Sequence, residues 1–373
     1  MYWQLLFLIL IGSSAAKAQD NASMARVDAS SRNFPKAVTS STVEMAGYIQ
    51  QHFAGNSDRI RAAYRWVTAN IDYDKDSMLA INWSKTTEEK IAATLRRRKG
   101  VCDNFASVFT DLLLKMNIPA YAVTGYTRGT GSAPNLAHSW SAVHLDGEWF
   151  LCDPTWDKDY TFSTNYFLKT PEEFIDTHWP FDPLWQLLPY PATHKEFEQA
   201  NISTKKNTPY FNVADSLQTY FALDSLQQME ASARRMKAAG LDRETLTTWY
   251  AYNQMNIAII YGEQDMHLYN GAVADLNKAN HYLNIFISYR NDFFKPTKSQ
   301  AHTKDMLQPI EGLIAAAYKK TTTMGIKREN FQYDTGLLKE RLTALSEKLD
   351  DQNKFVTLYF STAEREREKL FYQ

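Results

Sequence analysis

Residues 137–153 read Ala-His-Ser-Trp-Ser-Ala-Val-His-Leu-Asp-Gly-Glu-Trp-Phe-Leu-Cys-Asp. Two runs rich in strand formers are separated by Asp146-Gly147, the strongest two-residue hairpin signal. With that loop Leu145 pairs with Glu148 and Trp140 lies opposite Asp153. His138 stands two residues before Trp140, so it shares a face with Asp153 as a diagonal neighbour, ~7–8 Å away at the backbone. A four-residue loop keeps this parity and a three-residue loop breaks it. The same parity sends Cys152 to the opposite face, as a core residue. An imidazole held by a carboxylate is what a Cys–His–Asp nucleophilic site requires, although the parity does not itself bring a cysteine to His138.

Working outward, Ala120–Tyr126 reads as a further strand, and helices precede it. Residues 43–53 carry a short helix. Ser57 is the expected N-cap of a helix in which Ile60, Ala63, Tyr64, Val67 and Ile71 recur at helical spacing. Thr86-x-x-Glu89 reads as a capping box for a helix ending in Arg96-Arg97-Arg98-Lys99, with Gly100 as its stop. The next helix starts close to Cys102, and Phe105, Val108, Phe109, Leu112, Leu113 and Met116 give it a wide apolar face. Helices followed by an antiparallel sheet are an α+β pattern. The C-terminal region reads as helical, with Ala272, Leu276, Ala279, Leu283 and Phe286 on one period and Leu338, Leu342, Leu345 and Leu349 on another.

At a helix N-terminus, free N–H groups and the dipole favour the thiolate form of Cys102. From its position alone a small buried hydrophobe at a helix start is the favoured reading. A Cys102–Cys152 disulfide is the rival pairing in an exported chain. Other residues have plainer readings. His144 is a satisfied sheet histidine, Asp157 and Asp159 are solvated loop acids, and Arg96–Lys99 is a solvated helix end. Gly129 and Gly131 lie in the loop 127–137, a substrate loop or a simple connection.

The chain has 373 residues, enough for two domains. Lys+Arg is 41 against Asp+Glu 42, so there is no basic excess for nucleic acid. Two cysteines exclude a disulfide-dense scaffold and a four-cysteine zinc site, and no metal-binding motif appears. No metal and no cofactor are expected. Leu5–Ile11 is an unbroken apolar run followed by Ala16-Lys17-Ala18, which reads as a signal peptide with cleavage after Ala18 and export to the periplasm or medium. No segment is expected to span a membrane. Seven of nine Trp lie between Trp66 and Trp185, and the polar stretch 201–208 reads as a linker. The expected organisation is a signal peptide (1–18), a leader (19–56), an α+β domain (57–200) and a helical domain (209–373).

Three motifs together resemble the transglutaminase-like superfamily. They are Lys99-Gly100-Val101-Cys102-Asp103-Asn104-Phe105-Ala106, Ala137-His138-Ser139-Trp140 and Cys152-Asp153-Pro154-Thr155-Trp156. The stretch 63–74 resembles the helix that precedes the nucleophile. Tyr166-Phe167-Leu168, Phe174, His178, Asp182-Pro183 and Trp185–Leu188 are similar to the kyphoscoliosis-peptidase branch. The resemblance covers roughly residues 57–190. It implies a papain-like core with Cys102 as nucleophile, His138 as general base and then acid, and Asp153 orienting the imidazole. The Cys102 backbone N–H is the first oxyanion donor, and Trp66, Asn70 and Tyr73 are candidates for the second. Cys152 departs from the family, which usually has an apolar residue there. The implied chemistry is acyl transfer through a thioester, with hydrolysis of peptide or isopeptide bonds in a peptide or protein favoured over cross-linking. No calcium-loop signature is present. The alternative is a non-catalytic binding or scaffold protein that uses the transglutaminase-like core and the helical C-terminal region for interactions, with a protein partner or a glycan held by the helices.

Overall fold

A computed structural model describes residues 24–77, 86–128, 137–158, 164–202, 209–325 and 335–372. The expected signal peptide, most of the linker 201–208, Gly129, Gly131 and Asp159 lie outside the described residues. The chain divides into two compact units, Met1–Gln254 and Met255–Gln373.

The first unit opens with helix α1 (residues 24–31), followed by α2 (Thr42–His52) and α3 (Asn56–Asn70). Ser41 caps α2 by accepting the Val43 N–H. The N-cap of α3 is Gly55 rather than Ser57, and the helix starts two residues earlier without a side-chain cap. It is buried on nearly all sides, from Ile60 to Thr68. Asp28 of α1 accepts a bidentate pair from Arg61 at 2.7 and 2.6 Å, which compensates a charge that α3 carries into the interior.

Strand β1 (Asp72–Tyr73), helix α4 (Thr87–Arg97), strand β2 (Lys99–Gly100) and helix α5 (Cys102–Lys115) follow. Thr86 and Glu89 form the expected capping box. The left-handed residue ending α4 is Arg98 (φ 54°), not Gly100, which pairs with Tyr73 instead. The basic run is not simply solvated. Arg98 donates to the Thr39 carbonyl (2.9 Å) and lies 4.7 Å above the Trp66 ring, while Arg97 and Lys99 meet buried Asp74 at 2.6 and 3.2 Å. These partners reward the left-handed turn that a glycine would otherwise take.

Strands β3 (Ala120–Thr127), β4 (Ala137–Leu145) and β5 (Glu148–Cys152), helix α6 (Pro171–Phe174) and strand β6 (His178–Pro180) complete the α+β core. The sheet is antiparallel in the order β5-β4-β3-β6. One face carries Ser141, Val143 and Cys152 and packs on α5, where Thr110 Oγ1 and Ser141 Oγ are 3.0 Å apart. The other carries Val123, Trp140, Ala142 and Leu151 and packs on Phe174, Leu184 and Trp185. Period-2 alternation thus serves two separate cores.

Helices α7 (His194–Glu198), α8 (Val213–Phe221), α9 (Ser225–Ala239) and the start of α10 (Glu244–Asn291) close this unit. Residues 209–254 therefore cluster with the sheet rather than with the helices after them. Tyr220 of α8 bonds Tyr121 of β3 at 2.7 Å, and Arg235 of α9 holds Asp182 through two bonds of 2.7 and 2.6 Å. The second unit contains the rest of α10, α11 (Gln300–Asp305), α12 (Gln308–Thr323) and α13 (Gly336–Ser361). Ala272, Leu276, Ala279, Leu283 and Phe286 share its core with Leu338, Leu342, Leu345 and Leu349, the two stripes legible in the sequence. No helix among the described residues is long and apolar enough to cross a membrane.

Candidate active site

The β4–β5 turn sets the geometry. Asp146 and Gly147 both have positive φ, 53° and 91°, the combination a primed two-residue turn demands. Leu145 pairs with Glu148 and Ser141 with Cys152, so extension of the ladder sets Trp140 opposite Asp153. His138 Nε2 and Asp153 Oδ2 are 2.6 Å apart, and Cys152 faces the opposite core.

Asp153 is fully buried, yet all of its acceptor capacity is used. Oδ1 accepts the backbone N–H groups of Thr155 (2.8 Å) and Trp156 (3.2 Å). Oδ2 accepts from His138 Nε2 and, at 3.2 Å, from His178 Nε2. Burial alone would raise this carboxyl. The His138 charge and the imidazole bonds outweigh burial and hold it well below the usual carboxylate range. Burial likewise works against charge on His138. The Asp153 carboxylate opposes it more strongly, with a smaller part from Cys102, and the imidazole is pushed up to about 10. His138 is therefore an imidazolium at neutral pH, and Nδ1 is the nitrogen left to face the cysteine.

Cys102 is the first residue of α5, half-exposed, and lies near enough to His138 to add to the upward pull on its imidazole. Helix α5 lies on the face of Ser141 and Cys152, whereas His138 has the opposite parity. The first turn of the helix and the second residue of β4 nevertheless meet. Both cysteines are free, so the rival Cys102–Cys152 pairing does not form. The Cys152 sulfur accepts the Leu168 N–H at 3.2 Å, and burial pushes its thiol far up.

Asp157 corrects the expectation of a solvated acid. It is fully buried and organises the segment after Pro154, accepting the N–H groups of Asn165 (3.0 Å) and Tyr166 (2.9 Å). The Tyr64 hydroxyl of α3 donates to Asp157 Oδ2 at 2.6 Å and lies 2.9 Å from the Asp153 carbonyl. A helix interior residue thus anchors the backbone that carries the site carboxylate. His144 packs on Trp149, ring centroids 5.2 Å apart, away from this network.

Among the three oxyanion candidates, the structure separates Tyr73 from the others. The Trp66 indole is buried against Phe34 and Arg98, and the Asn70 amide donates to the Arg32 and Trp66 carbonyls. Tyr73 is half-buried, and its hydroxyl is pushed up to about 12, first by burial and then by Cys102 and Asp153. It therefore remains an O–H donor beside the cysteine.

His178, on β6, has no role that the sequence pattern assigns. It is buried, burial draws it down to about 4, and it is neutral at pH 7. Trp156 lies over both imidazoles, 5.7 Å from His138 and 4.6 Å from His178. Ligand atoms of His138, Asp153 and His178 all lie within 4.8 Å of one another, a spacing that a metal ion could share. In this structure the two Nε2 atoms are joined through Asp153 Oδ2, at 2.6 and 3.2 Å, and His178 Nδ1 is bonded to the Thr177 hydroxyl.

Residues 44–154, which include Cys102, His138 and Asp153, match the family model of the transglutaminase-like superfamily. The chain is 30% identical over 179 residues to kyphoscoliosis peptidase of Mus musculus, covering 44% of this chain and 27% of the relative. It is 26% identical over 168 residues to the Lim and transglutaminase domain protein ltd-1 of Caenorhabditis elegans, covering 38% and 22%. The match thus spans about a quarter of the length of these curated relatives. Among solved structures, it is similar to the periplasmic domain of TgpA from Pseudomonas aeruginosa bound to ethylmercury, with 19% identity, a TM-score of 0.27, and 36% of this chain and 50% of that chain covered.

Proposed function

From the transglutaminase-like match over residues 44–154, we propose that this protein is an exported cysteine hydrolase that opens peptide or isopeptide bonds through Cys102, His138 and Asp153. The observation that carries the reading is the 2.6 Å bond between His138 and buried Asp153, with Cys102, at the start of α5, near enough to add to the pull on the same imidazole. In this reading Cys102 supplies the nucleophile and His138 the acid–base group beside it.

In this reading the Cys102 sulfur attacks the amide carbonyl, and the C–N bond breaks. His138 transfers its Nδ1 proton to the leaving amine, giving a thioester. The neutral imidazole then takes a proton from water as the water oxygen attacks the thioester carbon. The C–S bond breaks, a carboxylic acid leaves, and the imidazolium–thiolate pair is restored. The carbonyl oxygen becomes an oxyanion in both steps. The first-turn N–H of Cys102, which no intrahelical partner takes, and the Tyr73 hydroxyl are the donors assigned to it. Asp153 keeps its charge throughout and orients the ring. Export rests on the apolar run 5–11 and Ala16-Lys17-Ala18.

Peptide-library profiling of the purified protein with mass-spectrometric readout tests the activity. Cleaved products that vanish in Cys102→Ala support hydrolysis. Products joined to an added amine would assign transamidation instead. Identical profiles for both proteins would leave a binding role through the helical region.

A further inference from the structure

We propose that His178 is a positioning residue for this site, donating its Nε2–H to Asp153 Oδ2 and so fixing the carboxylate on which His138 rests. The inference deepens the reading of Cys102 as a nucleophile and rests on it. His178 lies outside the family match over residues 44–154.

The tautomer follows from the partners. Asp153 is ionised and can only accept, so the nitrogen 3.2 Å away, His178 Nε2, must carry the proton. His178 is neutral, so its Nδ1 is bare and accepts from the Thr177 hydroxyl at 2.8 Å. The ring is fixed by its surroundings as well. It stacks on Phe174 at 4.0 Å and is edged by Trp156 at 4.6 Å and Trp140 at 5.1 Å. These contacts allow the donor one direction.

The sheet delivers it there. Strand β6 is two strands away from β4, and β3 lies between them. Gly125 of β3 pairs with His138 on one side and Pro180 on the other. A Cβ at Gly125 would lie 2.0 Å from the Trp179 carbonyl and 2.5 Å from Trp140 Cη2. Lacking one, the strand lets the Trp140 ring and the β6 backbone close over it, which brings the second imidazole to the same carboxylate as the first.

The consequence concerns the turnover cycle. His138 must change charge in each half-reaction while Asp153 remains ionised in the interior. A buried carboxylate that loses the full charge of its partner needs other donors to hold its orientation. The backbone N–H groups of Thr155 and Trp156 hold Oδ1, and His178 holds Oδ2 with a proton that does not take part in transfer.

The experiment uses the full chain and reads two quantities. Histidine 15N NMR at pH 7 should show His178 as the neutral Nε2–H tautomer, and a Nδ1–H tautomer or an imidazolium would overturn the inference. The second quantity is iodoacetamide alkylation of Cys102 at pH 7, followed by mass spectrometry. His178→Phe keeps the aromatic packing and removes the donor, and should slow alkylation by roughly tenfold, the scale of a lost hydrogen bond to a charged group. His178→Gln restores an N–H near Nε2 and should recover most of that rate. Equal rates in wild type and His178→Phe, or a His178→Gln as slow as His178→Phe, would overturn the positioning role. A wild-type Cys102 no faster than a thiol of the unfolded chain would overturn the nucleophile reading itself, a result distinct from the other two. If His178→Phe does not fold, the wild-type tautomer and the His178→Gln rate decide.

Discussion

His138 Nε2 and Asp153 Oδ2, 15 residues apart in the chain, stand 2.6 Å apart because one hairpin turn puts them on the same face of adjacent strands. Asp153→Asn keeps an acceptor for the Thr155 and Trp156 N–H groups but removes the charge that sustains the imidazolium. Burial then acts on His138 with little opposition, and its ionisation should fall from about 10 by at least about one unit. An NMR titration of the His138 ring protons checks this. An unchanged midpoint would mean that Asp153 is not the partner that matters.

The pair makes stability depend on pH. His138 binds its proton more tightly in the folded state, so its contribution is complete below the ordinary value of 6.5 and is lost as pH rises through about 10. Asp153 is shifted the other way. Its contribution is present above the ordinary value of 3.8 and is lost as pH falls below it. The pair's stabilisation is therefore greatest between those two ordinary values. The urea midpoint of wild type minus that of His138→Ala should shrink steadily from pH 6.5 to 10. A flat difference would contradict the coupling.

The two thiols should differ sharply toward iodoacetamide. Cys102 is half-exposed and lies near His138, whereas Cys152 is buried, accepts a backbone N–H and is pushed far up by burial. At pH 7 the label should enter Cys102 alone, and Cys152 should react only after denaturation. His138→Ala should slow Cys102. Equal labelling of both in the native protein would refute the assignment.

Tyr64→Phe removes a hydroxyl that holds buried Asp157 and approaches the Asp153 carbonyl. Leaving a buried carboxylate short of one donor costs about 1–3 kcal/mol. Chemical denaturation should show that loss, with limited change in secondary structure by circular dichroism.

Gly125→Ala puts a methyl group into the Trp179 carbonyl and the Trp140 ring. A backbone carbonyl in a strand cannot turn aside, so the cost should reach the upper end of the ~1–3 kcal/mol seen for overpacked cores. The β3–β6 pairing should weaken first, visible as faster amide exchange at Arg128 and Phe181, whose N–H groups bond the Thr177 and Thr124 carbonyls across it.

Much of the site could be read from the chain because its register is local. The Asp146-Gly147 turn assigns parity to His138, Cys152 and Asp153 at once, and a helix beginning at Cys102 needs only its apolar period. Other parts depend on contacts between distant segments. Strand β6 is three residues long, too short for alternation to show, so no pattern announced that His178 would face Asp153. Asp157 follows a proline in a polar stretch, and only the arrival of Tyr64, 93 residues earlier, explains its burial. Arg98 takes a left-handed conformation that composition assigned to Gly100 because Thr39 and Trp66 await its guanidinium. The meeting of Cys102 with His138 crosses the faces of the sheet, which strand parity alone cannot foresee.

Surface turns ordinarily accept insertions and deletions as well as substitutions. The turn at Asp146 and Gly147 separates the two. Many changes of identity there would cost only turn stability. One added residue would instead slip β5 by a single position against β4, exchange the places of Cys152 and Asp153, and present a thiol to His138 where it now finds a carboxylate. Descendants of this sequence that keep the site should thus vary in the composition of this turn while holding its length at even counts, an imprint of chemistry left in the spacing of the chain.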